Sequence, residues 1–297
     1  MPPWPAEGGA YVNDWSLTAA EVEAIRLWAD AGAPLGDPQE EGEPLPYVGT
    51  NLSRVDQLKQ MPEPYTASAG DDYRCFVLDW TEPGEQFITG FNVLAGNPQI
   101  VHHVAAFLVR PDSLMAEGVF EQLQLWEDDD DVPGYPCFGG PSGPGSSSQI
   151  PIEQIAQWVP GNQGMDFPEG TGIAISESSK IVLQLHYYSG PGVADTTDQS
   201  SLQLRLSDEV SSPASYSPWL NGAWPVAGMA IPAGESDVVH EAVGDPRGFF
   251  SLLNPSLELD EGFTIHSMML HLHRLGKSAS LELLRADGSE ELLVNIP

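Results

Sequence analysis

A chain of 297 residues, 41% of them hydrophobic, has the length for two domains and for packed cores. Its 43 acidic residues against 11 basic ones leave a formal charge of −32, which argues against nucleic acid, whose phosphates need a basic patch, and equally against anionic membrane surfaces. The acidity reads as a device for solubility, or for a salty or extracellular setting, not as an acidic active site.

Leu17, Val22, Ile25, Leu27 and Trp28 recur at helical spacing, so residues 17–33 are expected to form a helix, with Gly32 near its end. A Pro- and Glu-rich linker runs on to about residue 46. Beyond it the period changes to short alternating runs: YRCFVLDW, QFITGFNVL, VHHVAAFLV, IVLQLHYY, SLQLRLS, FTIHSMMLHLH and SASLELLRA, separated by Gly, Pro and Ser clusters. That spacing predicts an all-β protein of antiparallel sandwich or jelly-roll type. The run Asp128 to Asp131 lacks the alternate carboxylates, glycine and closing Glu of a calcium loop and reads as a solvated loop tip. GGPSGPGSSS (139–148) reads as a flexible loop and SSPASYSPW (211–219) as an inter-domain link. No signal peptide opens the chain and no apolar run is long enough to span a membrane; MPPWPAEGG reads like the interior of a domain and LLVNIP stops just after an expected strand, as in a fragment with both ends missing. The expected organisation is a helical segment with its linker at 1–45, one complete β-domain at 46–209 and an incomplete second at 210–297.

The two cysteines, Cys75 and Cys137, form no CxxC pair of the zinc-knuckle or redox kind. One disulfide is expected, in an oxidising, extracellular or periplasmic compartment; two buried free thiols are the alternative.

Five of the seven histidines fall in three settings. His271 and His273 stand two apart on an apolar run, so a pleated strand turns both imidazoles to one face, within reach of one ion. His102 and His103 are adjacent, and a regular strand would point them to opposite faces; joint ligation requires a bulge or a strand end. His186 sits alone in an alternating run, where a satisfied core or surface histidine is the ordinary reading. All-imidazole ligation suits copper, zinc, iron or nickel, and spacing does not choose among them. The HExxH signature of zinc proteases is absent. His240 and His266 read as surface residues or as outer partners that orient a ligating ring.

In order along the chain, DDYRCFVL (71–78), VHHVAAFLV (101–109), WVPGN (158–162) with FPEG after it, LQLHYYSG (183–190), AGMAIPAGE (227–235) and HLHRLGK (271–277) resemble the copper type II, ascorbate-dependent monooxygenases, the family of peptidylglycine α-hydroxylating and dopamine β-monooxygenases. The resemblance spans roughly residues 65–297. It implies two tandem jelly-roll-like domains, the second truncated, and two coppers in the complete protein. His102, His103 and His186 would hold the electron-transferring copper, and His271 and His273 the catalytic one. A methionine thioether completes the second site in the family; the matching position lies past residue 297, and neither Met268 nor Met269 occupies it. Gln184 and Tyr73 match residues near the electron-transfer site, and a packing role is equally open to each. Cys75 and Cys137 match a family disulfide worth roughly 2 to 4 kcal/mol. The implied activity is hydroxylation of a C–H bond with O2 and ascorbate or another one-electron donor. Where the peptide-amidating members carry a substrate-gripping arginine, two residues before HxH, this chain has Met269, which points to a neutral or apolar small molecule.

MPPW with LTAAEVEAIRLWADAGAP resembles the end of a class I cytochrome c, its Met as haem ligand and its helix the C-terminal one. CxxCH is absent, so haem is not expected in this chain, while a fused cytochrome or a separate redox partner would supply electrons. The alternative for this segment is an amphipathic helix capping the sandwich. For the whole chain, the alternative is a non-catalytic copper- or zinc-binding sandwich module.

Overall fold

The computed structural model describes residues 17–37, 51–111, 116–129, 131–144, 153–190, 192–193, 196–216, 219, 221, 224, 228–253, 259, 262–268, 270, 272 and 276–297. The chain divides into two compact units, one drawn from ranges 1–46 and 264–297, the other from 47–263. Among the described residues no helix is long and apolar enough to cross a membrane.

In the first unit, helix α1 is Ala19–Asp30. It starts where it does because Thr18 and Glu21 cap each other reciprocally, the Thr18 hydroxyl accepting from the Glu21 amide and the Glu21 carboxylate from the Thr18 amide. Gly32 follows its end with a φ of 88°. No residue of α1 is buried, and Val22, Ile25 and Trp28 are each more than half exposed.

The larger unit carries β1 (Gln57–Gln60), β2 (Tyr65–Thr66), β3 (Gly70–Asp79), β4 (Glu85–Leu94), β5 (Val101–Val109) and helix α2 (Ala116–Glu127). It continues with β6 (Tyr135–Pro136), β7 (Glu153–Trp158), β8 (Met165–Asp166), β9 (Thr171–Ser176), β10 (Lys180–Ser189), β11 (Thr197–Asp198), β12 (Ser201–Ser207), β13 (Ser212–Pro213) and helix α3 (Arg247–Leu253). In the first unit again, β14 (Ala279–Leu284) and β15 (Glu290–Ile296) form an antiparallel hairpin.

The larger unit is an all-β sandwich. One sheet runs β1-β12-β4-β9-β13, with β8 also on β4, and the other runs β6-β3-β10-β5-β7. Period-two alternation builds the core between them: Ile181, Leu183, Leu185 and Tyr187 of β10 face Ile88, Leu202, Leu204 and Ile173 of the opposite sheet, all at most 1% exposed. Each such aliphatic side chain contributes about 1.5–3 kcal/mol by leaving water.

The central strand β10 is buried on both faces, so its sequence reads apolar almost throughout. On the outer face Val182 meets Val77, Val109 and, from α2, Val119, Leu123 and Trp126. Sequence reading missed α2, although Val119, Leu123 and Trp126 recur at i, i+4 and i+7; Gly118 and the polar residues between them mask the period. The stretch expected to be a flexible loop is pinned over its described half. Gly140, Pro141 and Gly143 are buried, Tyr135 donates its hydroxyl proton to the Pro141 carbonyl at 2.7 Å, and residues 145–150 lie outside the described residues. The 211–219 stretch likewise opens as β13, parallel to β9, and Ala214 and Tyr216 pack on the sandwich core.

No described residue of the run 263–273 is in a strand. An extended segment is a strand only when a neighbour takes up its amides and carbonyls, and among the described residues nothing pairs with it.

A candidate metal centre

Three of the predicted ligands meet on the outer face of the β3-β10-β5 sheet. His186 on β10 is paired with His103 on β5, and Leu185 with Val104, but Tyr187 is paired with Val101. His102 is therefore the extra residue of a β-bulge. The bulge is what adjacent histidines need for joint ligation, because it turns both rings to the side where His186 stands.

The nitrogens that face one another are Nδ1 atoms: His186 to His103 at 3.3 Å and His102 to His103 at 3.4 Å. Donor atoms of the three rings all lie within 4.8 Å of one another. These spacings exceed an ordinary N–H hydrogen bond, whose range is about 2.7–3.2 Å. They match two nitrogens bound to one ion at about 2.0–2.1 Å and a tetrahedral angle, which lie roughly 3.3 Å apart. The donor set thus fits an imidazole-preferring ion, with the fourth side supplied by none of the clustered groups. Burial is graded across the centre: His186 is 6% exposed, His103 half-buried and His102 exposed.

Burial, and then the neighbouring His186, push the His102 pKa down, while Asp71 works against them. Asp71 Oδ1 lies 2.8 Å from His186 Nε2. Tyr73 stacks on the His186 ring and meets Phe138 edge-on; burial and then Asp71 raise its phenol pKa. Gln184, 5% exposed, is on the same face of β10 but reaches away from the histidines, donating to the Gly140 carbonyl at 2.6 Å and lying 3.6 Å from Cys137 Sγ. Its contacts serve the loop. Cys75 and Cys137 form the expected disulfide, closing 62 residues of sequence separation.

Asp71 and Phe138 were missed from the sequence. For Asp71 a signal existed, since the pleat puts residues 71, 73 and 75 on one face of β3, and the register sets Tyr73 opposite His186. For Phe138 the one signal was the expected disulfide, which brings the residue after Cys137 beside the strand that carries Tyr73 and Cys75.

His271, His273 and Met269 lie outside the described residues. His266 is exposed, Met268 is half-buried, and neither His240 nor His266 joins the cluster. Asp128, Asp129 and Asp131 are exposed. No family model and no curated protein matches the chain.

Proposed function

We propose that this chain belongs to a copper-dependent monooxygenase that hydroxylates a C–H bond of a small neutral or apolar organic substrate, using O2 and a one-electron reductant such as ascorbate or a redox partner. The observation that carries the reading is the three-imidazole cluster assembled by the His102 bulge. In this reading His102, His103 and His186 hold a copper whose chemistry is one-electron transfer. His271 and His273 are ligands of a second, catalytic copper.

What the chain's own residues do follows from their placement. The sheet gathers three imidazole rings whose nitrogens lie within 4.8 Å of one another, and Tyr73 screens the His186 ring on one face. His102 leaves the centre open to solvent, where a reductant can approach. The charge of −32 raises the local concentration of cations around the protein. The disulfide fits an oxidising compartment, extracellular or periplasmic.

A second reading is a copper- or zinc-binding module without turnover. It is favoured by a three-histidine centre drawn wholly from the larger unit, and by nitrogen spacings that suit tetrahedral zinc equally well.

Metal analysis after copper loading separates the two. The monooxygenase reading expects about two ions per chain, one lost in His186→Ala and a different one lost in the His271→Ala, His273→Ala double variant. A single ion that only His186→Ala removes supports the module. No bound copper, or one zinc insensitive to both changes, removes the monooxygenase reading.

A further inference from the structure

The His186 imidazole has two nitrogens with different neighbours. Nδ1 faces His103 across 3.3 Å, and Nε2 faces the Asp71 carboxylate at 2.8 Å. An ionised carboxylate only accepts. The single proton of a neutral imidazole is therefore drawn to Nε2, and the lone pair remains on Nδ1, on the side where the other two histidines gather.

Asp71 can do this at little energetic expense. Its side chain is 66% exposed, so one oxygen keeps its water while the other serves a histidine that is 8% exposed at the side chain. The opposite arrangement, with both groups enclosed, would desolvate the carboxylate. Register makes the contact: Tyr188 is paired with Asp71 and His186 with Tyr73, so Asp71 stands one pleat beyond the residue opposite His186. Tyr73, stacked on the ring, opposes the flip that would exchange the two nitrogens.

We infer that Asp71 is a positioning residue, which fixes His186 in its Nε2–H tautomer and so makes the centre take its ion through Nδ1. The effect on ion affinity rests on the metal-binding reading above; the effect on the tautomer does not. A carboxylate in this place also raises the basicity of the ligating nitrogen, and removal of such partners weakens metal binding by about 10–100-fold.

The test begins with the metal-free full chain, by nitrogen NMR of the imidazoles at about pH 8, where an ordinary histidine is neutral. The expected result is a proton on His186 Nε2 in the wild type and loss of that preference in Asp71→Ala. Copper(II) titrated against a competing chelator should then bind Asp71→Ala about 10–100-fold more weakly. Asp71→Asn, which keeps a carbonyl acceptor, should retain the tautomer and most of the affinity. A wild-type proton on Nδ1, or an Asp71→Ala chain whose tautomer or copper affinity does not move, overturns the assignment. If the wild type binds no copper, the proposed function fails, and the tautomer alone decides the role of Asp71.

Discussion

The Tyr73 ring lies on the imidazole of His186, 4.1 Å between centroids and 5° from parallel. Phe138 meets Tyr73 edge-on at 4.9 Å, and Phe138 follows Cys137 of the disulfide. A line of contacts thus joins the disulfide to His186 along one face of one sheet.

Ring stacking of this kind is worth about 0.5–1.5 kcal/mol. Tyr73→Ala should weaken copper binding roughly 2- to 10-fold, while Tyr73→Phe, which keeps the ring, should leave it near wild type. Competitive titration measures both. Equal affinities in the two variants would mean that Asp71 and the sheet hold His186 without the stack.

Loss of the Cys75–Cys137 bond should lower stability by about 4 kcal/mol, from the loop it closes in the unfolded chain. Urea unfolding of a Cys75→Ser, Cys137→Ser double variant reads this directly. Gly134→Ala tests the same loop from its backbone. Gly134 has a φ of 69°, and an added Cβ would run into the Cys75 carbonyl and the Phe76 ring. That variant should form the disulfide poorly, seen as free thiol in the folded protein.

Arg110 and Glu153 form a buried pair at 2.5 Å, with side chains 12% and 3% exposed. Arg110 also donates to the Ala174 carbonyl, and Glu153 accepts from the Tyr216 amide. Burial raises the Glu153 pKa, and Arg110 opposes the rise. Arg110→Ala would leave a carboxylate enclosed without its cation, costing about 3–5 kcal/mol. The Arg110→Met, Glu153→Leu double variant should recover much of that loss in the same unfolding measurement. A double variant no more stable than the single one would show that the backbone bonds, not the charges, carry the contribution.

Glu127 accepts from the Val77 amide at 3.0 Å, and burial raises its pKa. A folded pKa above the unfolded one means that the native state holds the proton more tightly, so stability falls as pH rises through the shifted value. Glu127→Gln, which keeps an oxygen for Val77, should therefore raise the melting temperature at pH 7. The gain should vanish below about pH 4, where the unfolded carboxyl is also protonated. Melting curves across that range would show an unchanged or lowered temperature at pH 7 if burial were not the dominant influence.

Sequence by itself determined the all-β class, because SLQLRLS carries the period-two imprint of a strand with one face in a core, while VHHVAAFLV and IVLQLHYY are short, mostly apolar runs of strand length, as strands buried on both faces require. It also singled out His102, His103 and His186 as ligand candidates, and the α1 helix through its 3.6-residue spacing. Only tertiary structure decided whether the three histidines meet. Adjacent residues diverge on a regular strand, and the register slip that makes His102 a bulge comes from how β5 aligns with β10, which no local pattern encodes. The same holds for the contacts around the three rings. Asp71 reaches His186 through strand pairing, and Phe138 reaches Tyr73 through a bond between cysteines 62 residues apart. Local propensity fixes which face a side chain takes within its own strand, but a ligand set is a property of neighbouring strands, whose alignment is chosen by the burial of the whole sandwich.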